Sequence, residues 1–237
     1  MGRIINNKSV AILQSNYIPW KGYFDIINSV DEFIIYDEMQ YTRRDWRNRN
    51  LLKTKQGTKW LTIPVEVKGQ YTHKINEIRI VDDKWPIKHW KTIQHNYNKA
   101  LLFKESETIF EETYQKCKEL NFLSEVNLLF INVINSFLGI NTKITDCKNY
   151  LLEGEKSRRI ISICKQAGAN TYFTGPSAKT YLDEGLFKKE GILLLYAEYK
   201  DYPVYKQLFP PFKSEVSILD LIFNAGRDSV KYMKSFK

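Results

Sequence analysis

The sequence predicts an α/β fold in which a parallel β-sheet is interrupted by a helical insertion in the middle of the chain. Short apolar runs followed by turn residues occur near both ends, which is typical of buried parallel strands, and helical patterns separate them. Residues 85–140 show helical periodicity instead. We therefore expect the 237 residues to fold as a single α/β domain, 1–237, with residues 85–140 as a helical insertion or cap.

The first part of the chain predicts a strand, a helix and a second strand. Residues 10–13 form a short apolar run, apolar residues recur at helical spacing over residues 21–29, and residues 33–36 form the next apolar run. Together they make a compact βαβ unit, which implies a right-handed crossover and a Rossmann-like sheet. Polar side chains follow both strands, at the sheet edge where open α/β proteins form binding crevices.

A hairpin, an edge strand and three helices are predicted next. Residues 51–54 and 60–65 flank a Gln56-Gly57 turn, and this arrangement favours a hairpin. Isoleucine recurs at roughly alternate positions in residues 74–81, a pattern that indicates an edge strand. Helices with one apolar face each are predicted over residues 85–98, 105–120 and 123–138.

The second half of the chain returns to alternating strands and helices. Strands are predicted at residues 142–145, where the pattern is weak, and at residues 171–174 and 192–196. Helical periodicity predicts helices at residues 155–167 and 217–225, and Ser217 is the expected N-cap of the last one. Residues 175–183 are predicted to be a loop that opens a turn or helix directly after a buried strand.

Composition and charge narrow the class of protein. Lys plus Arg number 36 against 27 Asp plus Glu, and the formal charge of +9 favours anionic partners, although a solvated basic surface is a simpler alternative. The three cysteines, Cys117, Cys147 and Cys164, show no CxxC spacing, so a metal site or disulfide framework is disfavoured and a reducing cytoplasm is expected. No segment approaches the about 20 apolar residues that span a bilayer.

A cluster of four arginines between residues 43 and 49 is the strongest anion-binding signal. Polar and aromatic residues are interleaved with these arginines, which favours a structured site over the alternative of a solvated basic face. Arginine forks match the geometry of phosphate and carboxylate groups. Arg47, Asn48 and Arg49 are therefore the leading candidates for substrate contact, with Arg49 in a catalytic role.

Asp37 and Lys179 are candidate catalytic residues because each lies just beyond a predicted strand. A carboxylate at the end of a buried strand needs a partner, so Asp37 could bind an amine, orient a metal-bound nucleotide or pair with an arginine. Lys179 follows Gly175 and Ser177 in a loop that could bind phosphate. The alternative for Lys179 is a solvated lysine at the start of a helix.

His89, Gln14 and Asn16 carry open alternatives. His89 could be a general base for an amine, while a histidine satisfied in the core is its more ordinary role. Gln14 and Asn16 could hydrogen-bond a substrate or tie their own loop together. Near the end of the chain, pocket lining and aromatic packing are the alternatives for Tyr202, Tyr205 and Gln207.

Three segments resemble the WbqC-like family in their order and spacing. They are residues 14–24 (QSNYIPWKGYF) with Asp37, Gln40 and residues 47–50 (RNRN), residues 171–182 (TYFTGPSAKTYL), and residues 209–212 (FPPF) with 217–226 (SILDLIFNAG). Ser15 departs from the pattern, since the family's opening glutamine is usually followed by proline, and we expect a looser turn there. The resemblance implies bacterial surface-polysaccharide (O-antigen, lipopolysaccharide) biosynthesis, in which glycine or another amino acid is transferred to an amino sugar.

Two motifs are also similar to those of adenylate-forming enzymes with a nucleotidyltransferase-like fold. Residues 19–23 (PWKGY) stand at the place of the first phosphate motif, without its usual histidines, and residues 175–182 resemble the mobile loop of pantothenate synthetases. The similarity implies that ATP with magnesium activates a carboxylate, with Lys21, Lys179 and the arginines around the phosphates. A tightly bound cofactor is not expected.

The expected site is one anion-binding pocket with two opposite walls. The first fifty residues form one wall, and residues 175–182 form the other. Catalytic roles are expected for Asp37, His89, Arg49 and Lys179. Substrate binding is expected for Gln14, Asn16, Tyr17, Trp20, Gly22, Tyr23, Gln40, Arg47, Asn48, Gly175, Ser177 and Tyr181.

The function expected from these residues and the resemblance is that of an amino-acid (glycine) transferase or ATP-dependent amide ligase. It would transfer an aminoacyl group to the amino group of a nucleotide-linked amino sugar, from an ATP-activated amino acid or an aminoacyl-tRNA. The alternative is a non-catalytic sugar-nucleotide or RNA-binding module that assists a polysaccharide-biosynthesis complex. Catalysis predicts one deep pocket between the two segments, whereas a binding module predicts a shallow basic face.

Overall fold

A computed structural model describes residues 7–66 and 72–236 of the chain. Its strands are β1 (Ser9–Leu13), β2 (Glu32–Ile35), β3 (Arg49–Thr54), β4 (Gly57–Thr62), β5 (Lys143–Asp146), β6 (Thr171–Thr174) and β7 (Leu193–Tyr196). Its α-helices are α1 (Lys21–Asn28), α2 (Trp85–Tyr97), α3 (Phe103–Lys116), α4 (Leu123–Leu138), α5 (Ser157–Gln166), α6 (Glu184–Lys189) and α7 (Ile218–Ala225). No helix within these residues is long and apolar enough to cross a bilayer.

Five of the strands form one parallel sheet in the order β5-β2-β1-β6-β7. β1 pairs with β2 from Val10 opposite Glu32 to Leu13 opposite Ile35, and it pairs with β6 on its other side. The chain builds the sheet outward from β1 in one direction and then in the other, so the strand order reverses between β1 and β6. The predicted α/β, Rossmann-like class is confirmed, and ligands of such sheets bind beyond the strand ends at this switch point.

Helices cover both faces of the sheet and create two hydrophobic cores. Ala11 of β1 faces the larger core, which also contains apolar side chains of α1–α4 and α7. Val10 and Ile12 face the smaller core, formed with α5 and α6. This alternation follows from the two-residue period of a strand. Residues 85–140 contribute α2, α3 and α4 to the larger core, where α3 packs against α2, α4 and α7.

The predicted edge strand at residues 74–81 is wrong. The segment contains a 3₁₀ helix, Ile75–Glu77, and Ile80 makes only an isolated bridge to Val65. The isoleucines of the segment pack in or against the larger core. Burial against the helices, rather than pairing in a sheet, therefore explains the apolar pattern.

The predicted hairpin and the cap of the final helix are confirmed. β3 and β4 pair antiparallel, with Leu51 opposite Trp60 and Thr54 opposite Gly57. The turn therefore lies at residues 55–56, one position earlier than predicted, and Gly57 adopts a φ of 120° that favours glycine. At the start of α7, the Ser217 side chain accepts a hydrogen bond from the backbone N–H of Leu219.

Glu32 at the start of β2 is a buried carboxylate with several donors. Lys8 Nζ lies 2.6 Å from one oxygen, while Thr145 Oγ1 and Tyr150 OH donate to the other at 2.7 and 2.6 Å. Burial alone would raise the pKa of Glu32, but these three donors lower it to about 2. The carboxylate therefore ties β2 to β5 and to the residue before β1.

We expect Glu32→Gln to lower the stability of the fold at neutral pH and to remove the share of its acid sensitivity below about pH 4.5 that Glu32 contributes. Because the folded-state pKa is depressed, the ionised carboxylate stabilises the fold above its unfolded pKa, and this contribution is lost as the pH falls towards 2. The contribution at neutral pH is on the order of 3 kcal/mol. Urea unfolding at neutral and acidic pH measures it, with the exposed Glu112→Gln as control. An unchanged free energy of unfolding in Glu32→Gln at neutral pH would contradict the assignment.

Candidate functional site

A cavity opens at the carboxyl end of the parallel sheet, beside the segments that follow β1 and β7. Its volume is ≈ 570 Å³, and four segments line it, within residues 16–20, 46–51, 199–202 and 212–215. Gly175, directly after β6, borders the same region, because a Cβ built on it would lie 3.1 Å from the hydroxyl oxygen of Tyr199. The cavity therefore lies where the strand order reverses.

Aromatic rings form much of the cavity wall. Trp20 packs edge-to-face against Tyr199 at a centroid distance of 4.7 Å and against Tyr202 at 5.7 Å. Gly22 makes this position possible, because a Cβ there would come within 2.3 Å of the Trp20 indole. Trp46 and Phe212 are further aromatic residues of the lining. The structure thus places Trp20 at the cavity and Gly22 beneath its ring.

Asp37, just after β2, holds the loop after β1 in place. Ser15 donates to the two carboxylate oxygens of Asp37, through its N–H at 2.8 Å and its hydroxyl at 2.6 Å. The expected loosening of the turn is wrong, because Ser15 makes a bond through an N–H that proline lacks. Asp37 is 3% exposed and lies outside the cavity lining. Burial raises its pKa, against the opposing effects of Ser15 and Arg47.

Tyr23, Gln14 and Gln40 lie outside the cavity lining. The Tyr23 ring is buried, and its hydroxyl donates to the backbone carbonyl of Gln14 at 3.0 Å. The Gln14 residue is half-buried, and Gln40 is exposed and forms a β-bridge with Lys74. In this arrangement Tyr23 supports the backbone that leads into the cavity.

Arg47 reaches the cavity through Asn16. Its guanidinium donates to the side-chain oxygen of Asn16, which lines the cavity, and lies 3.6 Å from an oxygen of Asp45. The Arg47 carbonyl accepts a hydrogen bond from Asn127 at 2.9 Å. Helix α4 therefore holds the backbone of the arginine cluster, while the Arg47 side chain orients Asn16.

Asn48 and Arg49 have different environments although they are adjacent. Asn48 is buried and donates to the Ile63 carbonyl at 2.8 Å, which links it to the residue directly after β4. Arg49 donates to the Arg44 carbonyl, and its guanidinium carbon lies 4.1 Å from the centroid of the Trp60 ring. Asn48 thus has a structural contact, while Arg49 is placed on an aromatic surface.

Tyr17 and His89 form a buried hydrogen-bonded group outside the cavity lining. The Tyr17 hydroxyl lies 2.9 Å from His89 Nδ1 and 2.7 Å from the Tyr114 hydroxyl. Burial lowers the pKa of His89 to about 4, so its ring is neutral at physiological pH. The structure places His89 in the packing of α2 against α3 and the loop after β1, not beside a ligand in the cavity.

The loop after β6 does not form the opposite wall that the sequence predicted. Ser177, Lys179 and Tyr181 are exposed and absent from the cavity lining, and the Lys179 ammonium lies 4.9 Å from the Tyr196 ring centroid. The opposite wall comes instead from the chain that follows β7. β7 lies beside β6 at the edge of the sheet, so the segment that follows β7 extends over the cavity. Gly175, after β6, lies against the Tyr199 hydroxyl of this segment.

Sequence reasoning missed several of the lining residues, chiefly Tyr199, Asp201, Phe212 and Glu215. Tyr202 does line the cavity, as one of its two alternatives predicted. One signal could have found Tyr199 and Asp201, because polar and aromatic residues directly after the last strand of a parallel sheet share the edge of the first strand. Asp201 also has a φ of 55°, an uncommon conformation for a residue with a side chain.

Lys21 is buried behind the cavity wall. Its Nζ lies 3.3 Å from the carbonyl oxygens of Pro203 and Tyr232, and 4.6 Å from the ring centroid of Tyr202. Burial lowers the pKa of Lys21 to about 8. Its ammonium therefore holds the Tyr202 segment to α1, and it lies outside the residues that line the cavity.

Asp201 and Glu215 are the charged residues among the described cavity lining. The predicted anion pocket is therefore corrected, because the cavity itself is aromatic and acidic, with the arginine cluster beside it. Carboxylates accept hydrogen bonds from amines and hydroxyl groups, and aromatic rings stack on flat apolar faces. Within residues 7–66 and 72–236, no group of three or more His, Cys, Asp or Glu side chains could hold a metal ion.

Comparison with known proteins agrees with the segments noted in the sequence. A model of the WbqC-like protein family matches residues 14–232. A relative from Mycobacterium tuberculosis (strain ATCC 25618 / H37Rv), described as "Uncharacterized protein Rv1507c", is 46% identical over 227 residues, which cover 96% of this chain and 98% of the relative. No solved structure matches the chain. The chain belongs to the WbqC-like protein family.

Proposed function

We propose that the protein transfers an aminoacyl group, glycyl in the leading case, to the amino group of a nucleotide-linked amino sugar. The setting would be the cytoplasmic biosynthesis of a bacterial surface polysaccharide such as an O-antigen. The observation that supports this proposal is the combination of aromatic rings with two carboxylates in one cavity. The protein would act as a transferase or as an ATP-dependent amide ligase.

An amino sugar suits this lining. A sugar ring presents an apolar face of C–H groups that can stack on Trp20 and Tyr199, while its hydroxyl and amino groups can donate to Asp201 and Glu215. A volume of ≈ 570 Å³ lies within the usual range of small-molecule sites. Asn16, fixed by Arg47, adds a polar group at a defined position.

The chemistry requires an unprotonated amine and an activated acyl group. The amine nitrogen attacks the acyl carbonyl carbon, a C–N bond forms, and the bond to the leaving group breaks with its electron pair. The proton released by the nitrogen passes to a carboxylate, for which Asp201 and Glu215 are the candidates at the cavity. AMP is the leaving group if the donor is an ATP-activated amino acid. If the donor is an aminoacyl-tRNA, the leaving group is the tRNA, which departs through the oxygen of its terminal ribose.

The remaining predicted residues take other roles in this proposal. Arg47 and Arg49 are positioned beside the cavity to bind phosphate groups of either substrate, including those of ATP with magnesium. Asp37 acts by holding the loop after β1, and His89 by packing. Lys179 lies on the neighbouring segment, where only a ligand that extends beyond the cavity would meet it.

A mass-spectrometric assay tests the proposal directly. Purified protein is incubated with a panel of nucleotide-linked amino sugars and glycine, with ATP, with charged tRNA, or with neither. We expect one sugar to gain the mass of a glycyl group with one of the two activators. The matched control is the same sugar with its amine acetylated, which should give no product because its nitrogen is not nucleophilic.

Three outcomes separate the alternatives. Product formation without either activator would contradict both proposed donors. Tight binding of the sugar nucleotides with no product under any condition would favour the non-catalytic binding module. If Arg49→Ala and Lys179→Ala both leave product formation unchanged, neither residue has a catalytic role.

A further inference from the structure

Two tryptophans form an exposed pair beside the cavity. Trp46 and Trp60 are 43% and 40% exposed, with ring centroids 5.3 Å apart and ring planes inclined by 41°. Trp60 is held on the β3–β4 hairpin opposite Leu51, and the Trp46 carbonyl accepts a hydrogen bond from the backbone of Tyr17 at 3.1 Å. The backbone that carries each ring is therefore held in place, while large parts of the ring surfaces stay accessible to a ligand.

Cationic groups accompany the pair. The Arg49 guanidinium lies over the Trp60 ring, and Arg47 follows Trp46 directly in the chain. The Nε atoms of both arginines are buried and have no hydrogen-bond partner in the described part of the protein. Each guanidinium also donates to the protein, Arg47 to Asn16 and Arg49 to the Arg44 carbonyl, and with five N–H donors a guanidinium keeps others for a phosphate.

We propose that Trp46, Trp60 and Arg49 form a binding platform for a nucleoside diphosphate. The aromatic pair would stack on the base, and the arginines would bind the phosphates. A planar, anionic ligand fits this combination, whereas a neutral sugar would use the rings but would not pair with the charge of the guanidinium groups. The proposal rests on the proposed function, since it names the part of the substrate that lies outside the cavity.

The position of Trp46 connects the platform to the cavity, because this residue belongs to the cavity lining as well as to the exposed pair. A ligand that stacks on the pair can therefore continue into the cavity without leaving the protein surface. The acidic lining, with Asp201 and Glu215, suits the amino sugar and disfavours phosphate. In a nucleotide-linked amino sugar, the diphosphate would thus lie at the arginines of the platform, and the amino sugar would lie in the acidic cavity.

Binding measurements without turnover test the platform. Uridine diphosphate, adenosine diphosphate and inorganic pyrophosphate are titrated into the full-length protein by calorimetry and by tryptophan fluorescence. Preference for uridine diphosphate would indicate that the bound nucleotide belongs to a sugar nucleotide, and preference for adenosine diphosphate would indicate that it belongs to ATP. We expect at least one nucleotide to quench the fluorescence and to bind about tenfold or more tightly than pyrophosphate.

Variants then locate the binding. We expect Trp60→Leu and Arg49→Leu each to weaken nucleotide binding by about tenfold or more. The matched control is Arg79→Leu, because Arg79 also lies over an aromatic ring, Phe122, at 4.6 Å, but on another part of the protein. Thermal unfolding of each variant checks that the fold is retained, and Trp46→Phe, which keeps a flat ring, should retain most of the affinity.

The platform would be overturned by nucleotides that bind no more tightly than pyrophosphate, or by equal affinity in Trp60→Leu and Arg79→Leu. These results are distinct from failure of the proposed function. Nucleotide binding that depends on Trp60, with no glycyl product in the mass assay, would leave the platform standing and reject the transfer reaction. Glycyl transfer with no contribution from Trp60 or Arg49 would do the reverse.

Discussion

Conversion of Asp201 and Glu215 to their amides, as Asp201→Asn and Glu215→Gln together, is expected to lower the rate of glycyl transfer by about 100-fold or more. Asp201 and Glu215 are the acidic residues of the cavity lining in the described part of the chain, and in the proposed reaction they are the candidates to accept the proton that the amine releases. An amide of the same shape still accepts a hydrogen bond but does not take up a proton. The single variants show which carboxylate carries the effect, measured as kcat in the mass-spectrometric assay.

The neighbouring substitution Glu198→Gln is the matched control for this experiment. Glu198 is exposed and lies three positions before Asp201, but it does not line the cavity, so its removal should leave kcat unchanged. A loss of kcat with little change in KM would assign the carboxylates to the chemical step rather than to binding. Wild-type kcat in the double variant would reject both residues as the base.

The second large effect is on stability, where Asp220→Ala is expected to lower the free energy of unfolding by about 3 kcal/mol or more. Asp220, in the first turn of α7, is fully buried and accepts from Tyr97 at 2.9 Å, Tyr205 at 2.6 Å and Gln207 at 2.7 Å. Removal of the carboxylate leaves these buried donors without an acceptor. Urea unfolding followed by circular dichroism measures the change.

Asp220→Asn is the control that separates shape from charge. Burial raises the pKa of Asp220 above its ordinary value of 3.8, so its protonated form favours folding below that pH, and this contribution is lost as the pH rises through the raised value. The asparagine variant has no such loss, and we therefore expect its stability relative to wild type to improve from acidic to neutral pH. If Asp220→Ala is as stable as Asp220→Asn at neutral pH, the hydrogen-bonded group is not stabilising.

Substitution of Asp220 should also change the position of residues that line the cavity. Tyr205 and Gln207 lie between Tyr202 and Phe212, which are both part of the cavity lining, so the carboxylate fixes the middle of the segment that forms the opposite wall. We therefore attribute a positioning role to Asp220, which lies outside the lining itself. This is the role of several polar residues that a sequence alone presents as candidates for catalysis.

Much of the fold could be predicted because strands and helices depend on the local spacing of apolar residues along the chain. Residues 10–13 are short, apolar and followed by polar residues, and the structure has β1 at Ser9–Leu13. The helix predicted at residues 217–225 begins one position later, after the predicted cap. The pattern of residues 74–81 was misleading because isoleucines buried under helices repeat much as they do in a strand.

The candidate site was predictable in part. Asn16 and Trp20 follow β1, and the edge of a parallel sheet is where such residues meet a ligand. The polar character of a residue did not show, however, whether its side chain faces the cavity. Asp37 and His89 have side chains that are common in catalytic sites, but both are buried and hydrogen-bonded within the protein. Whether a carboxylate or an imidazole faces a cavity or a neighbouring helix depends on contacts with residues far away in the chain.

The sequence by itself determined the α/β class, the position of most strands and helices, the family, and the first wall of the cavity. Only the tertiary structure decided which segment faces that wall. The order β5-β2-β1-β6-β7 places the segment after β7 across from Trp20, although the two are about 180 residues apart in the chain. Apolar periodicity specifies that a face is buried but not its partner, because that choice is made by the pairing of strands and the packing of the helices between them.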